Sequence, residues 1–272
     1  MNIPPALAER SEAEAVYDFV AGAPASVRAA LGIDALRIGG GVALSMRDDP
    51  TEFWSKALGF GIDEPVTADL MDEVCAFYRF HRTPIATFQL APSVLPEDWA
   101  DICARLNLRA GSPWVKLVCD AQAPAPTTGW QETLRVRRVE PEQAAAWASV
   151  VLRVFGMPEE HLSEMVASSV GRSGWHSYGA WEGDDLVAAG TVYVRQDTAQ
   201  MFAGSTLPHA RRRGAQSALL AARAAAAGAA GCRWLVAETG AEAPGEHNSS
   251  LHNMLRAGFE VLYERQNWVW RP

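Results

Sequence analysis

The chain has 272 residues, of which 49% are hydrophobic, and it carries a formal net charge of −8. This length is about twice that of a typical domain, so we expect two globular domains with ordinary hydrophobic cores. An acidic surface repels phosphate backbones, and the chain has no apolar run long enough to cross a bilayer. We therefore expect neither nucleic acid nor a membrane among its partners.

The N-terminal residues and the cysteines indicate a cellular location. The N-terminus lacks the apolar segment of a secretory signal, so we expect a cytoplasmic protein. The four cysteines are Cys75, Cys103, Cys119 and Cys232, and no two of them have C-x-x-C spacing. Unpaired cysteines among apolar neighbours are typical of small core residues in a reducing compartment. The sequence therefore predicts no metal site.

The first half of the chain contains a predicted helix at Leu70–Arg82 and a predicted strand at Ile85–Leu90. A segment rich in Ala, Pro and Thr follows Asp120 and lacks apolar periodicity, which is typical of a linker. The sequence therefore predicts one domain over residues 1–120, a linker over 121–129 and a second domain over 130–272.

Strands and helices alternate in the second half, which indicates a mixed α/β fold. Its predicted strands are Thr133–Val139, Trp175–Trp181, Leu186–Arg195, Ala199–Ser205, Trp234–Glu238, Phe259–Tyr263 and Asn267–Trp270. Its predicted helices are Pro141–Phe155, Glu159–Val170, Gly214–Ala230 and Ser250–Ala257. Gly214–Ala230 is almost pure Ala and Leu, the strongest helix signal in the chain.

An internal repeat relates the two halves. Gly258 lies 147 residues after Gly111, and at this spacing Leu108–Gly111 recurs as Leu255–Gly258. The same spacing aligns the helix and the strand predicted in the first half with a helix and a strand in the second. A chance alignment of two α/β segments is the alternative, and we favour a true repeat.

The most informative segment is Gly204–Leu220, which reads GSTLPHARRRGAQSALL. A strand ends before Pro208, three arginines follow, and Gly214 opens the helix. The N-terminus of a helix exposes unpaired N–H groups and carries partial positive charge, so three arginines there are unfavourable unless an anion binds. Glycine lets a phosphate approach the backbone closely. The order therefore predicts a diphosphate site that is neither a Walker P-loop nor a Rossmann fingerprint.

This segment resembles the coenzyme A motif of the GNAT acetyltransferases, V-x-P-x-x-[RQ]-x-x-G-x-[GA]. Here it reads Thr206-x-Pro208-x-x-Arg211-x-x-Gly214-x-Gln216, and Gln216 departs from the usual small residue. The resemblance continues through a strand, an Asn-bearing loop, a short helix and a Gly-Phe pair, and covers about residues 133–270. It implies two tandem GNAT-like domains, of which the second is active.

The resemblance implies acetyl-CoA as the cofactor and places it at the turn and the helix start. The implied cofactor-binding residues are Gly204, Ser205, Thr206, Arg211, Arg212, Arg213, Gly214, Ala215, Gln216, Ser217 and Asn248. His252 is a further candidate contact. In the first half, the corresponding residues Glu64–Asp69 (EPVTAD) include two acids and no basic residue. We therefore expect the N-terminal copy to be degenerate and not to bind coenzyme A.

The candidate catalytic residues lie on the neighbouring strands and on the last helix. Glu238, at the end of a strand, is the first candidate for the general base, and His176 is the second. A solvated carboxylate and a structural histidine are the alternatives. The family often protonates the leaving thiolate with a Tyr where this chain has Met254, which cannot donate a proton. Ser250 and Asn253 are therefore the candidates for that role, with helix capping as the alternative.

These observations predict an acetyl-CoA-dependent N-acetyltransferase that acts by direct attack in a ternary complex. The expected acceptor is a primary amine of a small molecule, with protein N-termini and lysines as the alternative acceptors. Three alternatives remain open at this stage. They are a non-catalytic acyl-CoA sensor or regulatory module, an interaction protein with two degenerate halves, and an acyltransferase for longer acyl chains. A homodimer is also compatible with the sequence.

Overall fold

The computed structural model describes residues 3–122 and 134–272. The helices of this part are α1 (Pro5–Ala21), α2 (Ala25–Leu31), α3 (Ala68–Phe80), α4 (Trp99–Leu106), α5 (Ala144–Phe155), α6 (Leu162–Ala167), α7 (Ala215–Ala229) and α8 (Ser249–Arg256). The strands are β1 (Ile33–Ile38), β2 (Gly41–Met46), β3 (Lys56–Leu58), β4 (Ala86–Gln89), β5 (Leu108–Asp120), β6 (Leu134–Arg138), β7 (Trp175–Glu182), β8 (Asp185–Arg195), β9 (Thr198–Thr206), β10 (Trp234–Gly240) and β11 (Glu260–Trp270). Only the first two residues of the predicted linker at 121–129 are among the described residues. Thr133, the first residue of a predicted strand, lies outside them.

The chain forms two compact units, and neither is a single continuous segment of the sequence. The C-terminal unit contains Leu117–Val261 together with Ile3, and the N-terminal unit contains Pro4–Lys116 and Leu262–Pro272. Most of β11, the last strand of the chain, thus belongs to the N-terminal unit. The end of β5 belongs to the C-terminal unit. The division into domains at 1–120 and 130–272 stays a prediction, since neither unit is one continuous segment.

The C-terminal unit has a mixed sheet with the strand order β5-β10-β9-β8-β7-β6. Strands β6, β7, β8 and β9 pair antiparallel in succession, and β10 pairs parallel with β9. Helix α7 connects β9 to β10, because parallel neighbours need a crossover. Its apolar residues, including Leu219 and Ala215, pack with Ala180, Ala188 and Leu134 from the sheet.

The N-terminal unit repeats this topology with one antiparallel strand fewer. Its strand order is β1-β2-β3-β4-β11-β5. Strands β1, β2 and β3 pair antiparallel, β4 pairs parallel with β3, and α3 connects those two strands. Strand β11 then pairs antiparallel with β4, with Trp270 opposite Ala86 and Asn267 opposite Gln89. Trp270 lies in the hydrophobic core of this unit, so the last strand completes the core of the first half.

The recurrence of these elements supports the internal repeat, but the repeat has gaps. Helix α3 begins at Ala68 and α7 at Ala215, which is 147 residues later, as predicted. The last strands of the two copies, β5 and β11, begin at Leu108 and Glu260, which is 152 residues apart. Short insertions in the second copy therefore accumulate after α7, and the prediction of a gapless register is wrong.

The prediction of two strands at 259–263 and 267–270 is also wrong, because β11 runs without interruption from Glu260 to Trp270. The residues between the two predicted strands continue β11, and one of them, Arg265, is buried in the N-terminal unit. Arg265 is 1% exposed and donates to Glu9 and to Glu12, both at 2.7 Å. The two carboxylates neutralise the charge of Arg265, so β11 can continue through this residue in the interior of the unit.

The buried ion cluster has four charged members and one phenol. Lys116 pairs with Glu12, and the Tyr263 hydroxyl donates to Glu9 at 2.5 Å. Burial alone would raise the pKa of Glu12, but the charges of Arg265 and Lys116 outweigh it and hold that pKa well below its usual range. The cluster fixes α1 to β5 and β11 through ion pairs that are withdrawn from water.

The described helices include none that is long and apolar enough to cross a membrane.

Replacing Arg265 tests the energetic weight of this cluster. Arg265→Ala leaves two buried carboxylates with one cation between them, and we expect a loss of about 3–5 kcal/mol in the free energy of unfolding of the N-terminal unit. Arg271→Ala is the matched control, because Arg271 and its partner Glu52 are both 55% exposed. It should cost less than about 1 kcal/mol. Urea denaturation measures both, and equal effects would contradict the account.

Candidate functional site

The turn between β9 and α7 adopts a conformation that requires Gly214. Pro208–Ala210 forms a short 3₁₀ turn after the strand, and Arg212 and Gly214 follow with φ of 61° and 82°. A left-handed backbone at two nearby residues is costly for side-chain-bearing residues, and glycine removes the cost at one of them. The result is a sharp turn whose amides lead directly into the first turn of α7.

The N-terminus of α7 lacks a side-chain cap among the described residues, and its N-cap residue is Gly214. The first-turn amides of Ala215, Gln216 and Ser217 therefore remain available to an acceptor from outside the helix. No acidic residue lies in the first turn to offset the helix dipole. An uncapped helix start that follows three arginines is an electrostatic arrangement suited to a phosphate.

The three arginines of the turn have different environments. The Nε of Arg211 donates to the backbone oxygen of Thr206 at 3.3 Å, which holds the turn against the end of β9. Arg213 forms a two-point ion pair with Glu182, with distances of 2.5 and 2.8 Å. The hydrogen bonds from Arg213 lower the pKa of Glu182. The Glu182 carboxylate thus offsets part of the positive charge that Arg213 brings to the turn.

Gln216 contacts the end of β9. Its Nε2 donates to the Thr206 hydroxyl at 3.0 Å, and its Oε1 would lie 3.4 Å from a Cβ placed on Gly204. Three predicted site residues are thereby brought together, and the departure from a small residue in the motif gains a structural role. The amide side chain ties the first turn of the helix to the strand that precedes it.

Strands β9 and β10 separate after a short parallel ladder. The ladder pairs Trp234, Leu235 and Val236 with Thr198, Ala199 and Gln200. Beyond this point β9 continues to Thr206 and β10 to Gly240 without further pairing among the described residues. The two strands therefore separate beyond this ladder, and the separation leaves a cleft that opens towards the arginine turn.

A bulge in β9 and a buried arginine accompany this separation. The register of β8 and β9 shifts between Ala189 and Thr191, and on β9 Ala203 has a φ of 52°. Arg223 of α7, 2% exposed, donates to the backbone oxygens of Thr191 and Phe202, both at 3.3 Å. Its guanidinium thus satisfies carbonyl groups at the bulge.

Arg223 needs space that only glycine provides. A Cβ on Gly190 would lie 2.9 Å from the guanidinium carbon of Arg223. Burial lowers the pKa of Arg223 to about 10, which still leaves the side chain charged at neutral pH. No role for Arg223 was predicted from the sequence. The signal was a single arginine inside a helix of alanines and leucines.

Glu238 lies on β10 just beyond the ladder, where the strands separate. The Nε2 of Gln200 donates to both of its carboxylate oxygens, at 3.1 and 2.9 Å. Gln200 is fully buried, so its amide gives the carboxylate a fixed orientation.

His176 does not lie beside Glu238 in the structure. On the sheet, His176 pairs with Val192, which in turn pairs with Met201. Met201 and Gln200 are consecutive on β9, so their side chains point to opposite faces, and Glu238 contacts Gln200. The two predicted bases therefore lie on opposite faces of the sheet. Burial, and then the charge of Arg138, lowers the pKa of His176.

The predicted residues at α8 serve mainly to position that helix. The Oδ1 of Asn248 accepts from the amides of Ser250 and Leu251, and its Nδ2 donates to Thr239 and Gly240. Asn248 thereby caps α8 and joins it to the end of β10. Met254 is buried, where the family often has a tyrosine.

Two further residues of α8 differ in their contacts. Asn253 accepts a hydrogen bond from Arg256 one turn later on the same helix. Ser250 is exposed. His252 contacts Glu242, with the Nε2 2.9 Å from its Oε1.

The N-terminal copy has a different helix start. The Thr67 hydroxyl caps α3 by accepting from the amide of Leu70 at 3.2 Å, and Asp69 lies in the first turn. This helix supplies its own acceptor and its own negative charge. The start of α3 therefore differs from that of α7, and the expectation that this copy does not bind coenzyme A stays a prediction.

The pKa of His176 provides a test of its environment. We expect an NMR-measured pKa below the ordinary value of about 6.5, because burial disfavours the charged ring. The unfolded chain then binds the proton more readily, so the free energy of unfolding should fall as the pH drops from about 6.5 towards the folded-state pKa. His176→Gln should remove this part of the pH dependence. A pKa at or above 6.5 would contradict the assignment.

No protein-family model matches the chain, and no curated protein matches it in sequence. Solved structures do match. A GCN5-related N-acetyltransferase from Kribbella flavida has a TM-score of 0.65 at 12% identity, covering 99% of this chain and 96% of its own. A GCN5-related N-acetyltransferase from Sphaerobacter thermophilus has a TM-score of 0.60 at 16% identity, and the match covers 99% of this chain and 95% of that protein.

A tandem GNAT protein from the clavulanic acid biosynthesis pathway has a TM-score of 0.57 at 16% identity, covering 97% of this chain and 96% of its own. The coverage extends over both units in each comparison. These likenesses, at low identity, establish the architecture. The chain therefore has the fold of the GCN5-related N-acetyltransferases, with two tandem GNAT-like domains, and the resemblance indicated by the sequence is confirmed at the level of the fold.

Proposed function

We propose that the chain is an acetyl-CoA-dependent N-acetyltransferase whose working site lies in the C-terminal unit. The observation that carries the proposal is the uncapped start of α7, with Gly214 left-handed and the arginine turn before it. Acetyl-CoA brings a diphosphate, which suits this helix start, and an activated acetyl group. The acyl acceptor that we propose is a primary amine of a small molecule.

The residues of the turn would bind the diphosphate. Backbone amides of Ala215, Gln216 and Ser217 would donate to its oxygens, and Arg211 and Arg212 would add positive charge. The cleft between β9 and β10 would admit the pantetheine arm, since the strand edges there have unpaired backbone groups suited to its amides. Gly204 and Thr206 are the residues that we expect to make these backbone contacts.

Glu238 would act on the amine. A protonated amine has no lone pair, so it must lose a proton before it can attack a carbonyl carbon. The Glu238 carboxylate is oriented by Gln200 and lies where the two strands begin to separate, and we expect it to take that proton. Positioning of the two bound substrates supplies much of the rate enhancement in such a transfer.

A non-catalytic acyl-CoA sensor is the second candidate function, and the burial of Met254 favours it. A sensor would keep the phosphate turn and would not need a proton donor for the thiolate. Ser250 and Asn253 remain the proposed donors for an enzyme. Thiol release during incubation with acetyl-CoA and a panel of amines separates the two candidates, because a sensor binds acetyl-CoA and releases no thiol above the rate without protein.

Two substitutions in the turn test coenzyme binding. Gly214→Asp places a carboxylate and a strained backbone at the helix start, and Arg211→Glu reverses a charge there. We expect each to weaken acetyl-CoA binding by at least about 10-fold, measured by calorimetry, since a charge-assisted hydrogen bond is worth about 1.5–3 kcal/mol. Arg153→Glu makes the same charge change at an exposed position on α5. It should leave the affinity within about 2-fold, and unchanged binding in the turn variants would rule out this site.

Glu238→Gln tests the base. Glutamine can still accept from Gln200 but cannot take a proton, so we expect kcat to fall by about 10²–10⁴-fold. The KM for acetyl-CoA should stay within about 3-fold, because the diphosphate contacts lie elsewhere. The wild-type rate should rise with pH through the ionisation of the base, and the variant should lose this dependence. An unchanged pH–rate profile would show that another group accepts the proton.

A further inference from the structure

Three potential metal ligands converge in the C-terminal unit at the loop between β10 and α8. They are Glu242, His247 and His252, and one ligand atom from each lies within 4.8 Å of the other two. The Oε1 of Glu242 is 2.9 Å from the Nε2 of His252 and 3.8 Å from the Nδ1 of His247. No other described part of the chain has such a group of three or more His, Cys, Asp or Glu side chains.

Two of the three separations between these ligand atoms bracket the spacing of ligands around zinc, and the third, between the two histidines, is within 4.8 Å. Zinc bonds of about 2.0–2.1 Å in a tetrahedral arrangement place neighbouring ligand atoms about 3.3 Å apart. The two observed distances lie on either side of that value. Two imidazole nitrogens and one carboxylate oxygen form a ligand set typical of zinc, whereas magnesium and calcium prefer oxygen ligands alone.

A hydrogen bond explains only part of the arrangement. His252 is within hydrogen-bonding distance of Glu242, but the Nδ1 of His247, at 3.8 Å, is too far. The two imidazole rings nonetheless stack, with centroids 4.5 Å apart and planes inclined by 27°. One ion between the rings and the carboxylate would account for the orientation of all three side chains.

The loop is also held in place around the ligands. The backbone amide of Asn248 donates to Oε1 of Glu242 at 2.5 Å, and the Asn248 side chain joins Thr239 to the start of α8. A hydrogen bond to a ligating carboxylate orients it, which is the usual role of groups just outside a metal's ligands. Three ligands are therefore presented by a segment that is anchored at both of its ends.

We propose that Glu242, His247 and His252 form a zinc-binding site that leaves one coordination position to water or to another ligand. The sequence predicts no metal site because successive ligands are five residues apart and belong to none of the usual zinc motifs. Bound zinc would link the loop after β10 to the first turn of α8. The proposal is independent of the acetyltransferase function and rests on the geometry of these side chains.

The test is calorimetric titration of the full-length protein with zinc chloride at pH 7.5, after treatment with a chelator. We expect one zinc per chain. His252→Ala and Glu242→Gln should each weaken binding by at least about 10-fold, comparable to or larger than the effect of removing a supporting group. His247→Ala should do the same, and it removes a side chain that is 66% exposed, so the fold should be retained. Binding should also release protons at lower pH, because the histidines must be neutral.

His81→Ala is the matched control. His81 is 2.8 Å from Asp34, a single histidine–carboxylate pair with no third ligand, and its loss should leave zinc affinity unchanged. Substitution with cobalt provides a second readout, since its visible spectrum reports tetrahedral coordination. The absence of saturable binding would overturn the proposal. So would affinity that survives all three ligand substitutions.

Discussion

The structure of the C-terminal unit depends on the separation of two parallel strands. Beyond Gln200 and Val236, β9 and β10 no longer pair, which leaves backbone groups along the cleft. A bulge at Ala203 turns β9, and the buried Arg223 satisfies carbonyl oxygens on both strands of the bulge. Without that guanidinium the bulge would leave acceptors buried and unpaired, which costs free energy. The cleft, the position of Glu238 and the arginine turn all follow from this separation.

The two copies show how a few residues decide whether a shared topology offers an anion site. Both have a helix that connects two parallel neighbouring strands, α3 between β3 and β4 in one copy and α7 between β9 and β10 in the other. In α3, Thr67 and Asp69 satisfy the helix start from within. In α7, glycine and arginine leave the amides unpaired and the charge positive. The difference is local and electrostatic, so it could be predicted from sequence.

Short-range signals predicted much of the fold. The alanine-rich helix, the turn at Gly214 and the alternating strands depend on neighbouring residues. The course of β11 could not be predicted in this way, because Arg265 in isolation resembles an exposed turn residue. Its partners Glu9 and Glu12 lie more than two hundred residues away in sequence. Ion pairs with these distant carboxylates allow Arg265 to be buried in a strand, which its local sequence does not indicate.

The site shows the same contrast. The motif assigned Gly204, Thr206 and Gln216 to one site, but it did not predict that Arg213 pairs with Glu182 or that His176 faces away from Glu238. Arg223, and the proposed role of Glu242, His247 and His252 as metal ligands, could not be predicted because these residues acquire their partners only in the folded chain. Local patterns thus locate the turn, and tertiary contacts decide which of its side chains are available.

Calorimetric titration of the wild-type chain with acetyl-CoA tests the central claim most directly, since it counts the sites. The uncapped start of α7 and the self-capped start of α3 together predict one bound molecule per chain. Two bound molecules would show that the N-terminal copy also offers a site. The absence of binding would contradict the assignment of the arginine turn to a coenzyme diphosphate.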